Sequence, residues 1–121
     1  MSRILIVDDE ANIRLLYSQE LMDEGYSVDA AGTIAEALAL LKENSYAVVL
    51  LDIKLKNESG LDLLQTLVKE RSDMAVILST AFSCYKDDFS AWLADSYVVK
   101  SSDMQELKDE IKRLIERKKT R

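Results

Sequence analysis

Short apolar runs that each end on a polar residue constrain the fold of this chain most strongly. They cover residues 4–7, 48–51, 76–79 and 97–99, and they lead into Asp8 and Asp9, Asp52, Thr80 and Lys100. Unbroken runs of this length predict strands buried on both faces, as in a parallel sheet. Ligands of parallel α/β proteins bind beyond the carboxyl ends of the strands. We therefore expect three carboxylates, a hydroxyl and an ammonium group to converge at one edge of a sheet.

Helical patterns separate these strands. The first helix is predicted over about 12–24 and is closed by Gly25. The second begins at Thr33 and the third at Gly60. The last two are predicted over about 85–93 and about 103–117. Strands are predicted over about 26–30, 47–51, 74–79 and 96–99 in addition to the first run. Strands that alternate with helices imply right-handed crossovers and helices on both faces of a parallel sheet, which is a three-layer α/β sandwich.

The helical spacing also predicts which side chains face inward. In the first helix these are Ile13, Leu15, Leu16, Leu21 and Met22; in the second Ala37, Leu38 and Leu41; in the third Leu61, Leu64, Leu67 and Val68; in the last Met104, Leu107, Ile111 and Leu114. Thr33 and Glu36 form a capping-box pattern at the start of the second helix. The segment 53–59 is expected to be a loop.

Size and charge narrow the function classes. A chain of 121 residues predicts a single domain, with residues 117–121 as a basic tail or the start of a linker. A net charge of −6 argues against direct nucleic-acid binding. No apolar stretch approaches the roughly 20 residues of a membrane span, and the strand pattern begins at once, so we expect a cytoplasmic protein without a signal peptide or membrane partner.

The content of cysteine and histidine excludes other chemistries. Cys84 is the only cysteine and there is no histidine, which excludes an internal disulfide and argues against a zinc site or a Cys-His nucleophile. We interpret Cys84 as a small, partly buried residue at the start of a helix.

The carboxylates at the strand ends predict a metal site. Two carboxylates about 4 Å apart repel each other by roughly 4 kcal/mol at an effective dielectric of 20, and a divalent cation removes that cost. An all-oxygen site suits Mg²⁺. Asp9 and Glu10 also suit the cap or first turn of a helix, but that alternative does not explain Asp52. Thr80 or Lys100 alone would be unremarkable, whereas together with a metal they describe a site for a tetrahedral anion.

Several motifs resemble the receiver domain of two-component response regulators. They are the segments 4–10, 79–81 and 94–100 and the Leu51-Asp52 pair with Gly60 eight residues later. The resemblance covers essentially the whole chain. It implies a flavodoxin-like fold with five parallel strands in the order 2-1-3-4-5 and five helices.

The resemblance also implies roles for individual residues. Asp52 would accept a phosphoryl group from a histidine kinase or a histidine phosphotransfer protein, with Lys100 and Thr80 contacting the phosphoryl oxygens. The implied ligands of Mg²⁺ or Mn²⁺ are Asp8, Asp9, Asp52 and the backbone carbonyl of Lys54. Thr80 and Tyr97 would form a switch, although Tyr97 equally suits a half-buried aromatic residue at a sheet edge.

The implied partners are proteins. The switch would act on an output domain or a downstream protein, and a homodimer through the fourth helix, fifth strand and fifth helix is compatible with the family. Such a domain is a phosphoacceptor rather than an enzyme, with at most slow self-phosphorylation and self-dephosphorylation.

The chain departs from the family pattern in three places. Ser101 and Lys56 stand where proline is common, which predicts a trans Lys100–Ser101 bond and a less restricted loop. Leu93 stands where glycine often ends the fourth helix, which predicts a short helix or a different ending. Tyr85, Phe89 and Trp92 share one stripe of that helix, which favours core packing over a partner surface.

Two alternatives to the phosphoacceptor follow. One is a phosphorylation-independent interaction module with the same fold, which the departures motivate. The other is a phosphohydrolase that forms an aspartyl phosphate, but Lys54 stands where such enzymes usually carry a second aspartate.

Overall fold

Strands and helices alternate along the chain. The computed structural model describes residues 2–52, 54–55, 58–70, 74–80, 95–99 and 104–119. The strands are Arg3–Val7 (β1), Ser27–Ala31 (β2), Val48–Asp52 (β3), Lys54–Leu55 (β4), Glu58–Ser59 (β5), Ala75–Thr80 (β6) and Ser96–Val99 (β7). The helices are Ala11–Asp23 (α1), Ile34–Glu43 (α2), Gly60–Glu70 (α3) and Gln105–Lys119 (α4).

Five of the strands form one parallel sheet. Their order is β2-β1-β3-β6-β7, and every neighbouring pair is parallel. Counted along the chain within this sheet, the order is 2-1-3-4-5, so the predicted flavodoxin-like sheet is confirmed. All five residues of the central strand β3 are buried, which explains its unbroken apolar run.

Helices cover both faces of the sheet. Alternate residues of β1, β3 and β6 contribute to two buried clusters, one of which includes residues of α2 and α3 and the other residues of α1 and α4. The result is the predicted three-layer sandwich. The predicted helix at 85–93, with its aromatic residues and Leu93, lies outside the described residues. The same is true of Lys56, Cys84, Lys100 and Ser101.

The predicted end of α1 and the predicted start of α2 agree with the structure. Gly25 follows α1 with φ of +97°, a left-handed conformation that glycine adopts without steric cost. At the start of α2, the Glu36 backbone N–H donates to Thr33 Oγ1 at 3.1 Å. Glu36 Oε1 accepts a 2.7 Å hydrogen bond from the backbone N–H of Gly32, so the carboxylate reaches the residue before the cap.

Four of the predicted core residues are exposed instead. Leu15, Leu16 and Met22 of α1 and Leu38 of α2 have relative exposures of 60%, 46%, 50% and 44%. The buried residues of α1 are Tyr17 and Leu21. A helix packs only one stripe against a sheet, and α1 carries more apolar residues than that stripe holds.

The chain after β3 also differs from the prediction. Lys54 and Leu55 pair antiparallel with Glu58 and Ser59, whereas 53–59 was expected to be a loop. The last helix extends to Lys119, and its predicted stripe of Met104, Leu107, Ile111 and Leu114 is buried. Within the described parts of the chain, no helix combines the length and apolar character needed to cross a bilayer.

Candidate functional site

Two buried aspartates occupy neighbouring positions at the carboxyl edge of the sheet. The register of β1 and β3 places Val7 opposite Leu51, so the next residues, Asp8 and Asp52, occupy neighbouring positions. Side chains alternate between the faces of a strand, which directs both aspartates to the face covered by α1 and α4. Their relative exposures are only 3% and 5%. The predicted juxtaposition of these two residues is present in the fold.

Hydrogen bonds hold both the main chain and the side chain of Asp8. Its backbone N–H donates to the carbonyl of Ala31 at 3.0 Å, and its own carbonyl accepts a 2.7 Å bond from Arg14 Nη1. Its carboxylate Oδ1 accepts a 2.9 Å bond from the backbone N–H of Glu10. The turn between β1 and α1 is therefore fixed at both the main chain and the side chain of Asp8.

A group of three carboxylates forms at this turn. Asp8, Asp9 and Glu10 each offer an oxygen, and these oxygens lie within 4.8 Å of one another. At an effective dielectric of 20, charges at that distance repel by roughly 3.5 kcal/mol. Hard oxygen donors at this spacing suit Mg²⁺ or a similar divalent cation. Asp52 is not one of the three.

Glu10 is the residue that sequence reasoning missed. It was interpreted as a helix cap or first-turn charge, and it does stand at the N-cap position of α1, but its side chain makes no capping hydrogen bond. Its carboxylate instead belongs to the acidic group. Its position directly after Asp9 is the sequence feature that could have indicated this placement.

The remaining predicted site residues are described in part. Thr80 ends β6, and its backbone lies opposite Val99, while the preceding Ser79 lies opposite Asp52. Lys54 belongs to β4. Lys100 and the side chains of Thr80 and Lys54 lie outside the description. The fold thus brings Asp8, Asp9, Asp52 and the end of β6 to one edge.

Tyr97 lies on the last strand of the sheet. It is partly buried and packs against the cluster that includes α2 and α3. Its neighbour across the strands is Leu78. This placement suits both interpretations given for it, the switch residue and the edge aromatic.

The comparison with known families decides the identity. The family model of the response regulator receiver domain matches residues 4–112. The chain belongs to this family. Receiver domains are signalling domains of two-component systems. The resemblance predicted from the sequence motifs is thereby confirmed.

Solved receiver structures agree closely with this fold. Response regulator TrrA from Thermotoga maritima, crystallised with Mg²⁺ and BeF, is 46% identical, with a TM-score of 0.90 and coverage of 94% of this chain and 99% of that chain. A chain in the crystal structure of histidine kinase ThkA in complex with TrrA is also 46% identical, with a TM-score of 0.88. The match covers 94% of this chain and 98% of that one.

Curated relatives are longer than this receiver. Response regulator ArlR of Staphylococcus saprophyticus is 33% identical over 119 residues, which are 97% of this chain and 54% of that protein. The chain spans about half the length of the curated relatives it matches.

Proposed function

We propose that this receiver domain accepts a phosphoryl group on Asp52 from the phosphohistidine of a histidine kinase or a histidine phosphotransfer protein. The observation that carries the proposal is the position of Asp52. It ends the central strand, is almost fully buried and neighbours Asp8 at the carboxyl edge of the sheet. A phosphoacceptor site accounts for a pair of buried aspartates at this edge.

The transfer requires little beyond an ionised carboxylate and charge stabilisation. An oxygen of Asp52 attacks phosphorus in line, and the P–O bond forms as the P–N bond to the donor imidazole breaks. The electron pair of that bond returns to the imidazole, which takes up a proton. Because the chain contains no histidine, it can accept the group in this reaction but cannot present it as a phosphohistidine.

The acidic turn supplies the ligands for a metal ion. Asp8 and Asp9, together with Asp52 and the Lys54 carbonyl, would hold Mg²⁺ or Mn²⁺, and Glu10 adds a nearby carboxylate. The ion would neutralise charge on the phosphoryl oxygens during transfer. The crystallisation of TrrA with Mg²⁺ and BeF supports this choice of ion.

Two further residues complete the proposed phosphoryl site. Lys100 follows β7 directly, and Thr80 ends the neighbouring strand β6. An ammonium and a hydroxyl at these positions would bind separate phosphoryl oxygens.

The same strands offer a route to a partner surface. Thr80 and Tyr97 lie on adjacent strands, so a shift of Thr80 toward a phosphorylated Asp52 would change the packing available to Tyr97. We propose that this pair biases the face that includes β7 and α4 toward an output domain, a downstream protein or a second copy of the chain.

The length of the relatives supports a modular arrangement. We propose that residues 1–121 form one receiver domain and that the basic residues after position 116 lead toward a linker in a longer regulator. The complex of ThkA with TrrA supports a histidine kinase as the phosphodonor.

Phosphorylation in solution tests the proposal. Incubation with Mg²⁺ and acetyl phosphate, followed by intact mass measurement, should add one phosphoryl group to the wild type. The Asp52→Asn variant should add none, whereas Asp62→Asn, which removes an exposed carboxylate from α3, should behave like the wild type. An unmodified wild type would favour the phosphorylation-independent interaction module, and a modified Asp52→Asn variant would exclude Asp52 as the acceptor.

A further inference from the structure

Arg14 lies beside the acidic turn without being a candidate ligand. Its Nη1 atom donates a 2.7 Å hydrogen bond to the carbonyl oxygen of Asp8. That carbonyl belongs to the peptide that joins Asp8 to Asp9, so its orientation affects the positions of both aspartates. A guanidinium at this point fixes the plane of the peptide that carries two proposed metal ligands.

Gly32 leaves the space that this guanidinium occupies. A Cβ atom at position 32 would lie 2.9 Å from Arg14 Nη1 and 3.3 Å from its Cζ. The backbone of Gly32 does not have a positive φ, so its conformation alone does not require glycine. The lack of a side chain at position 32 instead leaves room for the guanidinium of Arg14.

The turn after β2 is itself held in place. The backbone N–H of Gly32 donates to Glu36 Oε1 at 2.7 Å, and the carbonyl of the preceding residue, Ala31, accepts from Asp8 N–H at 3.0 Å. The two turns therefore meet at the Asp8 backbone and at the guanidinium of Arg14.

We propose that Arg14 is a positioning residue of the metal site and that Gly32 keeps its guanidinium in place. This inference rests on the proposed function, because it assumes that Asp8 and Asp9 bind Mg²⁺. Arg14 acts through the Asp8–Asp9 peptide and not through contact with the ion. Changes to groups that orient metal ligands typically reduce metal affinity by about 10–100-fold.

The direction of the change in Mg²⁺ affinity distinguishes a positioning role of Arg14 from a simple effect of its charge. Arg14 is a cation close to a site for a dication, so the loss of its charge alone would strengthen Mg²⁺ binding. The loss of its hydrogen bond would weaken binding by releasing the peptide. Weaker binding after removal of a positive charge therefore identifies the positioning role.

Calorimetric titration of the metal-free protein with MgCl₂ provides the test. Arg14→Met should raise the dissociation constant by about tenfold. Gly32→Ala should also raise it, although the charge of Arg14 is retained, because the new methyl group displaces the guanidinium. In the double variant, Gly32→Ala should add no further loss, since the group that it displaces is already gone.

Arg3→Met is the matched control. Arg3 lies at the opposite end of β1 and pairs with Asp29 at 3.0 Å, so its removal deletes the same charge far from the turn. The Arg3→Met variant should bind Mg²⁺ with the same dissociation constant as the wild type. Thermal unfolding with a chelator present establishes that each variant is folded, and Gly32→Ala tests the proposal independently if Arg14→Met does not fold.

The outcomes distinguish this inference from the function on which it rests. A wild type that binds no Mg²⁺ overturns the proposed metal site and the role of Arg14 together. A wild type that binds Mg²⁺ alongside an Arg14→Met variant of equal or higher affinity overturns the positioning role alone. Additive losses in the double variant would show that Gly32→Ala acts without Arg14, which overturns the role proposed for Gly32 alone.

Discussion

Tyr46 lies in a cluster of polar side chains near the amino end of the sheet. Its hydroxyl donates a 2.7 Å hydrogen bond to Asp29 Oδ2, an oxygen that also accepts from Arg3 Nη2 at 3.0 Å. The Arg3 guanidinium lies 5.5 Å from the centre of the Tyr46 ring. Burial, followed by the hydrogen bond to Asp29 and its negative charge, raises the pKa of Tyr46 from 10.0 to about 12.

This shift predicts a loss of stability in alkaline solution. In the unfolded chain Tyr46 releases its proton near pH 10, whereas in the folded chain it keeps it until about pH 12. The folded state binds more protons in this interval, so the free energy of unfolding should fall as the pH rises through it. Urea unfolding at several pH values should show a shallower fall for Tyr46→Phe than for the wild type.

The comparison of slopes separates the pH dependence of stability from the difference in stability at neutral pH. Tyr46→Phe should be less stable by about 1 kcal/mol at neutral pH, because the bond to Asp29 is gone. Tyr46 is protonated in both the folded and the unfolded chain at neutral pH, so this offset stays constant until the pH approaches 10. Equal slopes for both proteins between pH 10 and 12 would contradict the assignment of the raised pKa.

Individual site residues differed in how far the sequence predicted them. Asp8 and Asp52 were predicted at the sheet edge because each follows a short, unbroken apolar run, which favours a buried strand. Arg14 was not predictable, since its contact with the Asp8 carbonyl depends on the exact path of the turn and on the space left by Gly32. No pattern within α1 marks an arginine that folds back onto its own helix start.

Helix α1 shows the limit of periodicity within an element. Its apolar residues occupy several sides, and the sheet selects those spaced by four positions: Ile13 is partly buried, and Tyr17 and Leu21 are buried. The sequence alone gave no reason to prefer Tyr17 to Leu15. The strands were easier to predict, because both of their faces are buried and no face had to be chosen.

Paired substitutions in α1 test which face packs against the sheet. Leu21→Ala should lower the free energy of unfolding by about 2–5 kcal/mol, because Leu21 is fully buried and truncation leaves a cavity. Leu15→Ala should change it by at most about 0.5 kcal/mol, since Leu15 is exposed. Urea denaturation measures both, and a loss at Leu15 comparable with that at Leu21 would refute the packing described for α1.

The short antiparallel pair after β3 could not be predicted for a different reason. Its strands contain two residues each, which is too few for any alternation of apolar and polar residues to be recognised. A polar segment of this composition is indistinguishable from a loop until its backbone pairing is known.

At the scale of the whole molecule, strand order creates the site. Apolar runs predict strands but not which strands are neighbours, and the order 2-1-3-4-5 was expected from the family resemblance alone. That order places β1 beside β3, which brings Asp8 next to Asp52 and the acidic turn to the end of the central strand. A different order with the same strands would separate these groups.

Crowding of acidic groups at this edge predicts that the fold and the metal are linked. Mg²⁺ that binds only the folded state at 100 times its dissociation constant should stabilise the wild type by about 2.7 kcal/mol. Asp9→Asn should lose most of this gain because it removes a proposed ligand. With a chelator present, the variant should be at least as stable as the wild type, since one of three mutually repelling carboxylates is gone.

Asp9 is the appropriate position for this substitution because the carboxylate of Asp8 also accepts the Glu10 N–H, so that changing Asp8 would alter the turn as well. Urea unfolding in Mg²⁺ and in chelator, with Asp62→Asn as the exposed control, measures the linkage. An equal gain from Mg²⁺ in the wild type and Asp9→Asn would place the ion elsewhere. A variant markedly less stable than the wild type in chelator would mean that the acidic turn is held together by its own hydrogen bonds strongly enough to outweigh the repulsion among its charges.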